Sequence, residues 1–376
     1  MVLLVGGQPV AAAALLSHPE VQAAAEMFLQ QPADIPLGDK IIYACQGEEA
    51  TCAADEAAWL SSSDATTCIN AIVVAAPDLA SSADTAGAPG AAKDSCTSAA
   101  GSGLARVMHH DEGTGVDATL AGLSCSTARL WLAGGYDDAG GMGRAVTTRL
   151  LRCLERRAAR LHVELACLGA LNTAPDGSPC TTALAVDLHS LRARPAAPHP
   201  PERRGPLLLA RMAQWAYAAA RSSSSGGGPD GGEQAEDGER RPLRRAYDAA
   251  ARQMELELWQ GRPAPDVLWY VGRMLQLPDD QLLQRWSTSP AHEPPHFVAD
   301  MRAACNWLLQ QIGPEQLVTH RFAWTPGSWL PAAEGKSAAA AGQDAQPAHS
   351  AQLEEVQQAA GQAAAASPGR LCRCLL

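Results

Sequence analysis

Ser61-Ser62-Ser63-Asp64-Ala65-Thr66-Thr67-Cys68 is a polar, turn-prone octapeptide, and the apolar, β-branched run Ile69 to Val74 follows it directly. The pattern puts Cys68 where a loop enters a strand, rigid behind and open in front. A nucleophilic thiol needs that setting, because it must be held and still be reachable. Most cysteines are small buried hydrophobes, so position alone does not make this one reactive. Further along, Leu104 to His110 returns to apolar alternation. It can pair with the Cys68 strand as a hairpin if the segment between them loops out.

Composition bounds what the rest can be. The 376 residues carry a net charge of −11 and only 5% aromatic side chains. An acidic excess argues against a nucleic-acid partner. Two segments, about 77–103 and 222–240, are rich in Ala, Ser, Gly and acidic residues, and the chain from Pro331 to Leu376 is rich in Ala, Gln and Gly. Such segments bury too little apolar surface to offset the entropy of ordering, so disordered insertions and a disordered tail are expected. Roughly 250 residues remain, enough for one good core. No run of about 20 apolar residues exists, so no membrane span is expected. Met1 to Leu16 lacks the basic start of a signal peptide, and Pro9 interrupts it. Eleven cysteines without a C-x-x-C pair point to reduced thiols in the cytoplasm, not to a disulfide framework or a metal site.

Local patterns give a coarse element order. Pro9 to Gln30 reads as one helix, Ile41 to Ala44 as a strand, Gln46 to Ala58 as a surface loop or loose helix, and Leu130 to Ala133 as a short strand. Gly134 to Gly143 is a loop before a helix. It matches no nucleotide-binding motif, and its Asp137 and Asp138 would repel phosphate. The helix expected from Arg144 to about Leu161 places Arg149, Arg152, Arg156 and Arg160 on a solvated face, with Val146, Leu150, Leu154 and Leu161 opposite. His162 to Leu168 and Ala183 to Leu188 alternate like paired strands joined through Pro175-Asp176-Gly177. Pro278 opens a short helix reaching Trp286, and Phe297 to Gln311 is an amphipathic helix with Phe297, Met301, Ala304, Trp307 and Leu308 on one side.

A thiol nucleophile needs a proton shuttle. The candidate histidines are His109, His110, His162, His189, His292, His296 and His320. His110 sits at a hairpin-compatible position beside Cys68. His109 and His110 are neighbours on one expected strand and point to opposite faces, so only one of them can be the partner. His110 is the expected one.

Three stretches in order carry a resemblance: Ser63-Asp64-Ala65-Thr66-Thr67-Cys68, Leu132-Ala133-Gly134-Gly135-Tyr136-Asp137-Asp138, and Ser287-Thr288-Ser289-Pro290-Ala291-His292-Glu293-Pro294-Pro295-His296-Phe297. They resemble the signature stretches of the eukaryotic protein N-terminal asparagine amidohydrolases. Leu3-Leu4-Val5 and Arg244 to Leu258 are similar to that family more loosely, and the likeness runs to about Gly313. The resemblance implies an α+β fold in one domain over residues 1–330: two packed β-sheets flanked by helices, an α-β-β sandwich of the cysteine-hydrolase and deamidase kind. It also implies that Arg244 to Trp259 is a strand, a turn near Asp248 and a second strand, although Ala249 to Met254 favours a helix by propensity.

The implied activity is deamidation of an N-terminal asparagine to aspartate through a cysteine thioester, with the product entering the arginine N-degron route. In that reading Cys68 is the nucleophile, His110 the shuttle (through His110-Asp111-Glu112-Gly113-Thr114), and Ser62 the group that orients the imidazole, with Ser61 and Ser63 as rivals. The oxyanion hole would include the backbone N–H of Cys68. Asp64, Thr67, Ser287, Ser289 and Glu293 would bind substrate. Asp64 or Glu293 would read the free α-ammonium, with Asp137 and Asp138 behind them. The family often has two acidic residues before Ala-Thr-Thr-Cys where this chain has Ser63-Asp64, which either loads the role onto Asp64 or shows that the first acid is dispensable. No cofactor is implied. The partners would be proteins or peptides with a free N-terminal Asn, acted on by a monomer in the cytoplasm, and also in the nucleus. Two alternatives stay open: a deamidase of internal glutamine, and a non-catalytic binding relative of the family.

Overall fold

The computed structural model describes residues 2–36, 38–75, 103–111, 127–155, 160–197, 211, 243–260, 265–287, 289–293, 295–310, 316–325 and 328–332. The expected insertions apart from Gly103, almost all of the tail, and residues 112–114 of the His110 stretch lie outside them. The chain divides into two compact units, residues 1–198 with 236–252, and residues 199–235 with 253–376.

The first unit is built on a mixed sheet of eight strands. These are β1 (Val2–Val5), β2 (Gln8–Val10), β4 (Glu48–Ala53), β6 (Ile69–Ala75), β7 (Leu104–His110), β8 (Thr127–Tyr136), β9 (Arg160–Gly169) and β12 (Arg244–Arg245), in the spatial order β12-β4-β7-β6-β8-β9-β1-β2. A second sheet has the order β11-β10-β5-β3, from β3 (Ile41–Ala44), β5 (Trp59–Ser62), β10 (Leu184–Asp187) and β11 (Ala193–Arg194). Among the described residues this unit carries the α-helices α1 (Ala12–Leu15), α2 (Pro19–Leu29) and α3 (Met142–Glu155). One face of the large sheet packs Leu3, Ile69, Ala71, Val73, Met108, Leu130 and Leu132 with Val146, Leu150 and Leu154 of α3 in a single apolar core. On the other face, β3 and β5 lie against β7, and β10 lies against β6. The layers are thus helix, sheet and sheet, an α+β sandwich.

The second unit carries the antiparallel strands β14 (Gln253–Gln260), β15 (Gln316–Thr325) and β16 (Ser328–Pro331), and the helices α4 (Pro265–Gln276), α5 (Asp279–Trp286) and α6 (Phe297–Gln310). Within α6, Met301, Ala304 and Cys305 are buried. These strands form a sheet beyond the two expected. Among the described residues no helix is long and apolar enough to cross a membrane.

Several local expectations need correction. Pro9 to Gln30 is not one helix but β2, α1 and α2, broken before Pro19, which serves α2 as a first-turn residue. A residue before proline is pushed out of the helical region. Gln46 to Ala58 contains β4, whose alternate side chains are buried and which pairs with β7 in register Ala50↔Val107. Its Glu, Ala and Thr content hides a strand that long-range pairing creates. The α3 helix is described from Met142 to Glu155, Arg156 lies outside the described residues, and Arg160 and Leu161 belong not to a helix but to β9. Both stretches are strands, as expected, but they do not pair with each other: β9 pairs with β8 and β1, and β10 with β5 and β11, in different sheets. The stretch from Arg244 is strand-like as expected: β12, then β13 (Tyr247–Asp248), a turn in which the Asp248 carboxylate accepts from the N–H groups of Ala250 and Ala251, then β14.

Candidate active site

Ser61 and Ser62 end β5, so the loop that presents Cys68 is only Ser63 to Cys68. It is pinned by backbone. Ala65 N–H donates to the Thr182 carbonyl at 3.0 Å, Tyr136 N–H to the Thr66 carbonyl at 3.3 Å, and Gly135 N–H to the Cys68 carbonyl at 2.7 Å. Asp64 holds a left-handed φ of 63°, a conformation Asp tolerates better than most residues. Gly134 explains why its stretch is glycine-rich. Its φ is 120°, and a Cβ there would sit 2.4 Å from the Cys68 carbonyl oxygen. Only glycine lets β8 approach the Cys68 backbone this closely.

The β6–β7 register places the two adjacent histidines on opposite faces of the sheet. Asn70 stands opposite His109, and Ile69 opposite His110. Directly opposed residues share a face, and successive residues alternate. His110 therefore shares the face of Ile69 and Met108, which pack in the core with α3. His109 and Asn70 share the face covered by the second sheet. Gly135 N–H closes on the Cys68 carbonyl at the entry to β6, so Cys68 is held at the mouth of the strand, two residues before Asn70.

On that face the Ser62 hydroxyl donates to the Ala44 carbonyl at 2.8 Å and lies 3.0 Å from Nδ1 of His109. A carbonyl can only accept, so the hydroxyl proton is committed to Ala44. Nδ1 must then carry the imidazole proton and donate to Ser62. Nε2 is left as a lone-pair base. It is buried and has no hydrogen-bond partner among the described residues. Burial pushes the His109 pKa down to about 4, opposed by the charges of Asp111, Asp64 and Glu48 in that order. The imidazole is thus neutral at physiological pH, the state a general base requires.

The other expected site residues divide clearly. Cys68 is 9% exposed. Of the three serines, Ser62 meets an imidazole, whereas Ser61 donates to the Ala196 carbonyl and Ser63 to the Asp64 carboxylate. His110, expected as the shuttle, lies one residue out of phase with this cluster. Asp64 is exposed and Thr67 is buried. Asp138 caps α3 by accepting from Met142 and Gly143 N–H, and Asp137 pairs with Arg144 at 2.7 Å, so both carboxylates are engaged in structure. In the second unit Ser287, Ser289 and Glu293 form their own network, in which the Ser287 hydroxyl donates to the Glu293 carboxylate and accepts from Ser289 N–H. Among the described residues no cluster of three or more His, Cys, Asp or Glu could hold a metal ion.

Sequence reasoning missed Asn70 and Asn172. Asn70 is fully buried, and its Nδ2 donates to the Thr182 carbonyl at 3.1 Å. The signal was there: one carboxamide inside an otherwise apolar run. Asn172 locks the loop that supplies Thr182, exchanging side-chain hydrogen bonds of 2.9 Å with both the N–H and the carbonyl of Thr181.

Residues 32–325 match the sequence profile of the protein N-terminal asparagine amidohydrolases. The chain belongs to this family. It is 26% identical over 197 residues to the protein N-terminal asparagine amidohydrolase of Mus musculus, covering 52% of this chain and 54% of the mouse protein. The Homo sapiens protein of the same name is 26% identical over 193 residues, 50% of this chain and 53% of its own length. A shorter match, 36% identical over 73 residues, joins 19% of this chain to 22% of the Sus scrofa amidohydrolase. The chain thus spans about half the length of the mouse and human relatives. The family profile takes in Cys68, Asn70, His109 and Ser62, along with all three signature stretches.

Proposed function

We propose that this protein hydrolyses the side-chain amide of an N-terminal asparagine, releasing ammonia and leaving an N-terminal aspartate. The observation that carries the reading is the Ser62–His109 pair, whose Nε2 has no hydrogen-bond partner among the described residues, on the strand that pairs with the one Cys68 opens. In the first half-reaction Nε2 of His109 takes the Cys68 thiol proton as the sulfur bonds to the asparagine side-chain carbon. The carbonyl π pair moves onto oxygen, where the Cys68 backbone N–H and a neighbouring amide would stabilise it. As the carbonyl re-forms, the carbon–nitrogen bond breaks and the imidazolium returns its proton to the departing nitrogen as ammonia. In the second half, neutral His109 takes a proton from water, which attacks the thioester. Collapse expels the sulfur, which recovers the proton, and aspartate is released.

Recognition of a free chain start has electrostatic support. Asp111, Asp64 and Glu48 all act on His109 through their charges, and the same negative charges would attract a cationic α-ammonium, give nothing to a blocked neutral start and oppose an acidic one. Asp64 is the exposed member and the one we assign to the ammonium. The resulting aspartate would enter the arginine N-degron route, with the enzyme acting as a monomer in the cytoplasm and nucleus.

The test is mass spectrometry of an Asn-initiated peptide, its N-acetylated form and an internal-Gln peptide. Only the first should gain about one dalton, and Cys68→Ala should lower ammonia release at least about 10³-fold. Conversion of the acetylated peptide, or of the Gln peptide alone, would overturn the assignment. Equal ammonia release by wild type and Cys68→Ala would leave a binding protein instead.

A further inference from the structure

Two buried polar atoms of the site have no hydrogen-bond partner among the described residues, Nε2 of His109 and Oδ1 of Asn70. They belong to directly opposed residues of β6 and β7, so their side chains are neighbours on one face. The first is explained by the proton transfers above, and the second has no part in them. A buried acceptor left unpaired costs about 1–3 kcal/mol, and folded proteins keep few such groups without a use. The orientation of the amide is fixed: Nδ2 donates to the Thr182 carbonyl at 3.1 Å, and a carbonyl cannot pair with Oδ1, so Oδ1 is the atom turned away from Thr182. The same carbonyl also receives Ala65 N–H from the Cys68 loop. One peptide oxygen therefore ties the Asn70 side chain to the loop that carries the nucleophile.

Resting on the asparagine reading above, we infer that Asn70 Oδ1 receives a hydrogen bond from the substrate's side-chain NH₂, selecting carboxamide over carboxylate and holding the leaving nitrogen beside His109. A primary amide has two N–H donors. One can be given to Asn70 while the nitrogen stays within reach of the imidazolium that must protonate it. The product carboxylate has no donor, and it would set its own lone pairs against Oδ1. The contact thus favours substrate, disfavours product, and loosens as ammonia leaves. Sites built to bond a polar group discriminate strongly against analogues that lack it.

The experiment measures peptide binding in the inactive Cys68→Ala protein, using otherwise identical Asn-initiated and Asp-initiated peptides, with and without Asn70→Leu. We expect Cys68→Ala to prefer the Asn peptide by about ten- to a hundredfold, as one buried hydrogen bond against one repulsion implies. Asn70→Leu should reduce that preference to about twofold or less. Asn70→Ser, a smaller change that shortens the side chain, should do the same and decides the matter if the Leu variant does not fold. In the active protein, inhibition by the Asp peptide should strengthen in the Asn70 variants, which a purely structural defect would not cause. An unchanged Asn-over-Asp preference in a folded Asn70 variant would overturn this inference and leave the substrate reading intact. Failure of Cys68→Ala to bind either peptide, with no turnover by wild type, would overturn the substrate reading and this inference with it.

Discussion

The two faces of β6 and β7 are built from alternate residues of the same strands and could hardly differ more. Toward α3 they present Ile69, Ala71, Val73 and Met108 to a continuous apolar core. Toward the second sheet they present Asn70 and His109, and the Ser62 hydroxyl of β5 closes the cluster. The first face, with the buried His110 at its end, packs in the core with α3; the second adds Ile72 and Val107 to the buried Asn70 and His109, whose Oδ1 and Nε2 have no hydrogen-bond partner among the described residues. Maintaining such atoms costs stability, and α3 packing on the far side offsets it. One sheet thus separates what holds the fold from what the site uses, by the two-residue period of a strand.

This contrast can be broken from either side. The largest consequence is in stability against pH. The pKa of His109 is lowered to about 4 in the folded protein and sits near 6.5 in an unfolded chain. Between those values the unfolded state binds more protons, so folding stability falls as pH drops from about 6.5 toward 4 and levels off below. The loss approaches about 3 kcal/mol. Denaturant unfolding across this range should show the slope in wild type and lack that component in His109→Gln; identical slopes would refute the burial argument.

Ser62→Ala should lower kcat by about ten- to a hundredfold with little change in KM, because it leaves Nδ1 of His109 without the acceptor that sets the tautomer. Steady-state kinetics on an Asn-initiated peptide checks it. The smallest effect belongs to the opposite face. The buried Thr147 hydroxyl on α3 has no hydrogen-bond partner among the described residues, so Thr147→Val should leave turnover unchanged and stability equal or higher by up to about 1 kcal/mol. A loss of activity there would show that the two faces are not as separate as the packing suggests.

Much of the architecture could be read in advance where local pattern and tertiary role agree. The runs Ile69–Val74 and Leu104–His110 are strands because alternation and β-branched residues say so, and the loop before Cys68 is polar and turn-prone. β4 was not legible, since Glu48–Ala53 becomes a strand through its pairing with β7. The partners of β9 and β10 were equally hidden, because alternation announces a strand and not its sheet. The site turned on parity. That the two adjacent histidines lie on opposite faces followed from strand geometry alone, but which one meets Ser62 and Asn70 depends on a cross-strand register that no local signal fixes, and a shift of one residue exchanges the faces. Asn70 was hidden by its neighbours, as a single amide inside an apolar run reads as core.

The most direct test compares His109→Gln with His110→Gln on an Asn-initiated peptide, each variant first shown to be folded by its thermal unfolding. The account predicts that His109→Gln loses at least about 10²-fold in kcat/KM, whereas His110→Gln, once folded, retains turnover within a few-fold of wild type. Retained activity in His109→Gln together with a collapse in folded His110→Gln would contradict it.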